Sequence, residues 1–189
     1  MNLLILGIVI FYAGHLVSVT PLKAALKARL GEGGYKGLFS VVAVIGLGLM
    51  IKAYLGTRSG PEAVNFLYLP PDWTRHVTML LVLLAFISLA ASFHRGRLKL
   101  WLRNPFSIAI ALWATGHLLS NGKTAAVWLF GSFLLFALFD IVRNTLVGQP
   151  PKFTPKPIHD LIAVVAGVLL YGLFLFGFHP YVLNLPVVG

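Results

Sequence analysis

The sequence predicts an all-α polytopic membrane helix bundle with six transmembrane helices and both termini periplasmic. Three observations lead there. The 189 residues are 58% hydrophobic and only 11% charged, where a soluble domain carries about 25% charge. The mean hydropathy is +0.88. Apolar runs close to membrane-spanning length recur along the chain, and the breaks between them hold most of the charge.

Six segments fit a hydrocarbon core of about 30 Å, which takes about 20 helical residues. They are 3–19, 37–54, 76–93, 105–119, 125–142 and 161–181. All must be helical, because an open strand would leave backbone groups unpaired in lipid. The first has neither the basic n-region nor the small-residue cleavage site of a secretory signal, so it reads as a retained span. Segments 3–19 and 105–119 are short and expected to sit tilted beside their neighbours or to borrow flanking residues.

Taken in order, span one ends at Thr20-Pro21, where Thr20 can cap a new helix and Pro21 suits its first position. That helix, 22–30, carries Lys23, Lys27 and Arg29. It is expected at headgroup level, breaking at Gly31-Glu32-Gly33-Gly34 before span two. Gly46 and Gly48 in span two permit close helix contact. The loop 56–75 holds Gly60-Pro61 and Pro70-Pro71 with Tyr68 and Trp73, a rigid turn with interfacial aromatics.

Span three runs into His94-Arg95-Gly96-Arg97-Leu98-Lys99. Asn104 then caps span four with Pro105 in its first position, and Asn121-Gly122 stops it. Asp140 and Arg143, three apart near the end of span five, are expected to pair with each other or to mark the interface. An extended loop with Pro150, Pro151, Pro155 and Pro157 follows. Span six ends at His179-Pro180. No repeat appears, and one membrane domain is expected over residues 1–189.

The formal net charge of +10 would suggest nucleic acid in a soluble domain. Here the basic residues lie in loops between apolar runs, so the partners expected are membrane lipids and no nucleic acid. Of the fifteen Lys and Arg, eleven fall in loops one, three and five and four on the other side. The positive-inside rule puts those three loops in the cytoplasm.

With no cysteine, thiolate metal sites, palmitoylation, covalent c-type haem and cysteine nucleophiles are excluded. Imidazole is the main chemical resource. His15 and His117 lie inside apolar spans, while His76, His94, His159 and His179 lie at span ends. An intramembrane imidazole costs free energy and needs a partner. It is either a hydrogen-bonded packing residue or a ligand, and two on different helices fit the axial positions of a b-type haem. Gly14 and Gly116, each just before one of these histidines, would let a macrocycle come close to the backbone or would simply serve helix packing. Basic residues at the interface, Arg103 among them, could meet propionates or anchor lipid.

Several motifs resemble a known family. Gly14-His15-Leu16, Pro21-Leu22, Gly31-Glu32 and Tyr35-Lys36-Gly37-Leu38-Phe39-Ser40 look like the opening of the NnrU family. Trp113-Ala114-Thr115-Gly116-His117-Leu118-Leu119-Ser120-Asn121-Gly122, with Phe130-Gly131-Ser132 after it, resembles that family's central motif. The resemblance covers nearly the whole chain. It implies a multi-pass protein of the bacterial inner membrane, associated with nitrite and nitric oxide (denitrification) metabolism.

A relative of that family, the plant and cyanobacterial 15-cis-zeta-carotene isomerase, is a b-type haem enzyme, and by this resemblance its axial histidines fall on His15 and His117. Its cysteine three residues before the second histidine is Ala114 here, so a cysteine-dependent ligand switch is impossible in this chain. Possible partners are a hydrophobic small molecule, nitric oxide or components of nitric oxide reductase. His15 and His117 are expected at different membrane depths, and His76 is the alternative partner for His117 should that offset persist. Two other functions stay open. One is a non-catalytic accessory or sensor for nitric oxide reductase. The other is a lipid-modifying methyltransferase, since Arg103-Asn104-Pro105 is similar to the Arg-His-Pro turn of membrane methyltransferases.

Overall fold

The computed structural model describes residues 1–185, and the last four residues of the expected domain lie outside the described residues. The chain is all-helical apart from loops, with seven α-helices and a terminal π-helical segment among the described residues. They are α1 Asn2–Val17, α2 Leu22–Gly56, α3 Thr74–Phe93, α4 Arg97–Leu102, α5 Pro105–Ser120, α6 Thr124–Leu146, α7 Pro157–Leu173 and the π-helix Phe174–Val182. Four stretches are long and apolar enough to cross a membrane: Leu22–Gly56, Thr74–Phe93, Thr124–Leu146 and Pro157–Val182. The helices α1 and α5 have 16 residues each, about 24 Å at 1.5 Å per residue. Large apolar side chains such as Val44, Leu135 and Leu169 are exposed on helix surfaces, the pattern of a lipid-facing surface.

The contacts divide the chain into two compact units, one of residues 1–69 with 122–132 and one of 70–121 with 133–189. In the first, α1 and α2 pack along each other through glycines. A Cβ on Gly46 would meet the Phe11 backbone nitrogen at 2.6 Å, and one on Gly7 would meet the Met50 nitrogen at 2.8 Å. Leu4 and Met50 are fully buried in this seam. The loop after α2 clamps the start of α6. Leu67 N–H donates to the Gly122 carbonyl at 2.9 Å, and Thr124 N–H donates to the Asn65 carbonyl at 2.9 Å.

Within Leu22–Gly56 two helices meet across a kink at Gly31 (φ 72°, ψ 171°), the first residue of the expected break, so the break is one residue long rather than four. Gly33 and Gly34 stay helical, and Glu32 beside them is ion-paired to Lys27 at 2.7 Å across the kink and to Lys36 at 3.3 Å. Thr20 does not cap α2. Its hydroxyl donates back to the Val17 carbonyl at 2.9 Å.

In the second unit α3 packs against α5 and α7. Small residues occupy the seams, with Ala85, Ala90, Ala91, Ala109 and Ala163 buried and Gly167 against the Ile87 backbone. Ser88 Oγ donates to the Pro105 carbonyl at 2.7 Å, locking α3 to the start of α5. Asn104 holds the N-cap position and Pro105 opens the helix, as expected, but no side-chain cap bond forms. The last span does not stop at Pro180. With no N–H, proline cannot make an α-helical bond, and the chain continues to Val182 with wider, π-helical turns.

Candidate functional site: intramembrane histidines

Each apolar histidine is held by its own helix. His15 Nδ1 lies 2.8 Å from the Phe11 carbonyl and His117 Nδ1 lies 2.8 Å from the Trp113 carbonyl. A carbonyl only accepts, so each Nδ1 carries a proton, and in the neutral ring the lone pair is on Nε2. A metal-binding imidazole has this form, with the second nitrogen oriented by a backbone acceptor. The spacing of four residues follows from helix geometry, because a side chain tilts back over the preceding turn.

His15 belongs to the first unit. Its ring lies 4.2 Å from that of Phe11 and 5.0 Å from that of Phe39 on α2. Gly14, beside it, packs toward Val42, whose methyl would come within 3.1 Å of an added Cβ. His117 belongs to the second unit. Its ring is 5.0 Å from Trp113 and 6.4 Å from His179, nearly parallel to the latter at 22°. Gly116 is buried against Thr78 and Val82 of α3, and Thr78 Oγ1 donates to the Gly116 carbonyl at 2.7 Å. This bond pins α3 to α5 one residue before His117.

Sequence reasoning missed His179. Pro180 reads as a helix stop, which leaves His179 looking terminal. The π-helix instead turns it inward, with Nδ1 2.8 Å from the Phe174 carbonyl five residues back. His117 and His179 line one cavity of ≈ 60 Å³ with Met79, Phe86, Tyr171 and Phe174. That is far below the about 300 Å³ at which cofactor pockets begin. This cavity admits only a small guest and not a macrocycle. A larger opening of ≈ 540 Å³ lies between Pro70-Pro71-Asp72, Arg75 and Ser120 and shares Thr78 and Met79 with it.

The remaining residues singled out from sequence fall elsewhere. His76 is exposed in the first turn of α3 and does not line the His117 cavity. Arg103 is exposed, with a positive φ of 59°. It precedes α5, whose first residue, Pro105, lies about 18 Å from His117 along the helix at 1.5 Å per residue. It lines a separate cavity of ≈ 280 Å³.

Asp140 does not pair with Arg143. Its Oδ2 accepts from Ser107 Oγ at 2.5 Å and from Asn144 Nδ2 at 3.0 Å. Arg143 donates instead to the Asn144 side chain at 3.5 Å. No group of three or more His, Cys, Asp or Glu suited to a metal ion occurs among the described residues.

No curated protein and no solved structure matches the chain. The family model described as NnrU protein matches residues 3–187, which takes in both histidine-bearing helices and both units, and the chain accordingly belongs to the NnrU family.

Proposed function

We propose that this chain is a six-span, b-type haem-binding protein of the bacterial inner membrane, with its termini outside and His15 and His117 as axial ligands. On this reading it serves nitrite and nitric oxide metabolism. The observation that supports it most is the shared posture of the two intramembrane histidines. Each donates Nδ1–H to the carbonyl four residues back at 2.8 Å, the second-nitrogen bond that orients a metal-binding imidazole, with Nε2 as the atom that would coordinate. Both rings sit among aromatic side chains, an apolar setting that suits the flat face of a porphyrin. When bound, haem would supply redox or gas-binding chemistry. The chain's own part is to hold two neutral imidazoles in a fixed tautomer and to keep water away.

The test is the absorption spectrum of the full chain purified in detergent. A Soret band is expected in the wild type, weakened in His15→Ala and in His117→Ala and lost in the double variant. Wild-type protein without a Soret band after expression with ample haem would sink the reading, as would a double variant that keeps full haem content.

A further inference from the structure

The end of the second unit where α3 finishes, α5 and α7 begin and α6 finishes carries an unbalanced charge. Arg95, Arg97, Lys99 and Arg103 lie on the α3 to α5 connection, and Arg143, Lys152 and Lys156 lie at the end of α6 and on the following loop. The two stretches meet directly, since Lys156 N–H donates to the Arg95 carbonyl at 3.0 Å.

Two acids stand nearby, and both are engaged with uncharged donors. Asp160 accepts from the backbone N–H groups of Arg97 and Leu98 at 2.8 and 2.9 Å. Asp140 accepts from Ser107 and Asn144. Among the described residues the ion pairs are Met1–Glu62, Lys27–Glu32 and Lys36–Glu32, all in the other unit. Among the described residues none of the seven cations here meets a carboxylate.

A cavity of ≈ 280 Å³ opens in this cationic end, walled by Arg103, Asn104, Asn144, Gln149 and the Pro150-Pro151 turn. Its polar wall is braced from behind. Buried Ser107 fixes Asp140, and Asp140 fixes Asn144. A primary amide has two N–H groups, and this bond uses one of them. Trp101 and Phe93 stand exposed on the adjoining helices, the aromatic signature of headgroup depth.

We propose that this cavity seats the phosphate of an anionic membrane phospholipid, with the Arg103 guanidinium on the phosphate oxygens and the Asn144 and Gln149 amides as neutral donors. Guanidinium suits a phosphodiester because its N–H fork matches two oxygens at once. A free phosphate ion offers the same chemistry. The lipid is favoured because Arg103 follows exposed Trp101 by two residues at the end of a lipid-facing bundle, where a headgroup is already concentrated.

The experiment measures retention of phosphatidylglycerol against phosphatidylcholine by the full chain in mixed detergent micelles, read by native mass spectrometry. Arg103→Gly removes the cation and relieves the positive φ, so it leaves folding intact. It is expected to lower phosphatidylglycerol retention by about tenfold or more, the loss of a charge-assisted contact. Arg95→Gln makes the same change in net charge outside the cavity and should cost less than about fivefold, the effect of one diffuse surface charge.

Equal losses in the two variants, or no preference for phosphatidylglycerol in the wild type, would overturn the proposal. Inorganic phosphate at tens of millimolar is the second arm. Retention unchanged by phosphate supports the lipid, and displacement of the lipid by phosphate, with loss of phosphate binding in Arg103→Gly, assigns the cavity to the soluble ion and overturns the lipid proposal.

Discussion

The rings of His117 and His179 lie nearly parallel, 6.4 Å apart, each donating its Nδ1–H to a carbonyl of its own helix. The second bond spans five residues rather than four, so it exists only because the chain turns π-helical at Phe174. His179→Leu keeps the cavity wall apolar and removes that donor. The expected cost is about 1 kcal/mol, with faster amide exchange confined to the π-helix. On the proposed axial assignment the Soret band survives in this variant, because His179 is a neighbour of the ligand and not the ligand. Loss of the band in His179→Leu, together with its survival in His15→Ala, would move the axial role from His15 to His179.

Asp140 tests a different point. Asp140→Ala removes the acceptor of two side-chain donors, one of them the buried Ser107 hydroxyl, and should cost about 2–4 kcal/mol in thermal unfolding in detergent. Arg143→Ala should cost less than about 0.5 kcal/mol, since its side chain makes only a long hydrogen bond to Asn144. A double-mutant cycle should find coupling of about 1–3 kcal/mol between Asp140 and Ser107 and less than about 0.5 kcal/mol between Asp140 and Arg143, which meet only through Asn144. Larger coupling to Arg143 would restore the pairing that the three-residue spacing suggested.

That misreading marks the limit of what is legible in this sequence. Rules written along one helix found what one helix decides. Pro105 opens α5 and Asn121-Gly122 ends it, and His15 and His117 sit on apolar helices as their surroundings implied. The same rules cannot see across helices. Asp140 satisfies itself with Ser107, 33 residues away, and no local spacing announces that choice. Gly31-Glu32-Gly33-Gly34 looked like a four-residue break because glycine weakens helices, and the backbone does leave helical geometry at Gly31, but Gly33 and Gly34 belong to the helix that follows. His179 was hidden for the opposite reason. Pro180 is a strong stop signal, and only the packed bundle shows that the chain takes the π-helical way past it.

The seam between α1 and α2 gives the last prediction, since two glycines two residues apart should respond with opposite signs. A methyl on Gly46 would lie 2.6 Å from the Phe11 nitrogen and 2.8 Å from its Cα. Those are backbone atoms that cannot rotate aside, so the helices must separate. Gly46→Ala should therefore lower stability by about 1–3 kcal/mol. A methyl on Gly48 meets nothing within 4 Å, and there the gain in helix propensity acts alone, so Gly48→Ala should raise stability by about 0.5–1 kcal/mol. Thermal unfolding of the two variants in one detergent, followed by circular dichroism, reads the difference. A Tm that moves the same way in both would mean that the close approach of α1 to α2 does not run through Gly46, and the contact would have to be sought at Gly7 and Met50 instead.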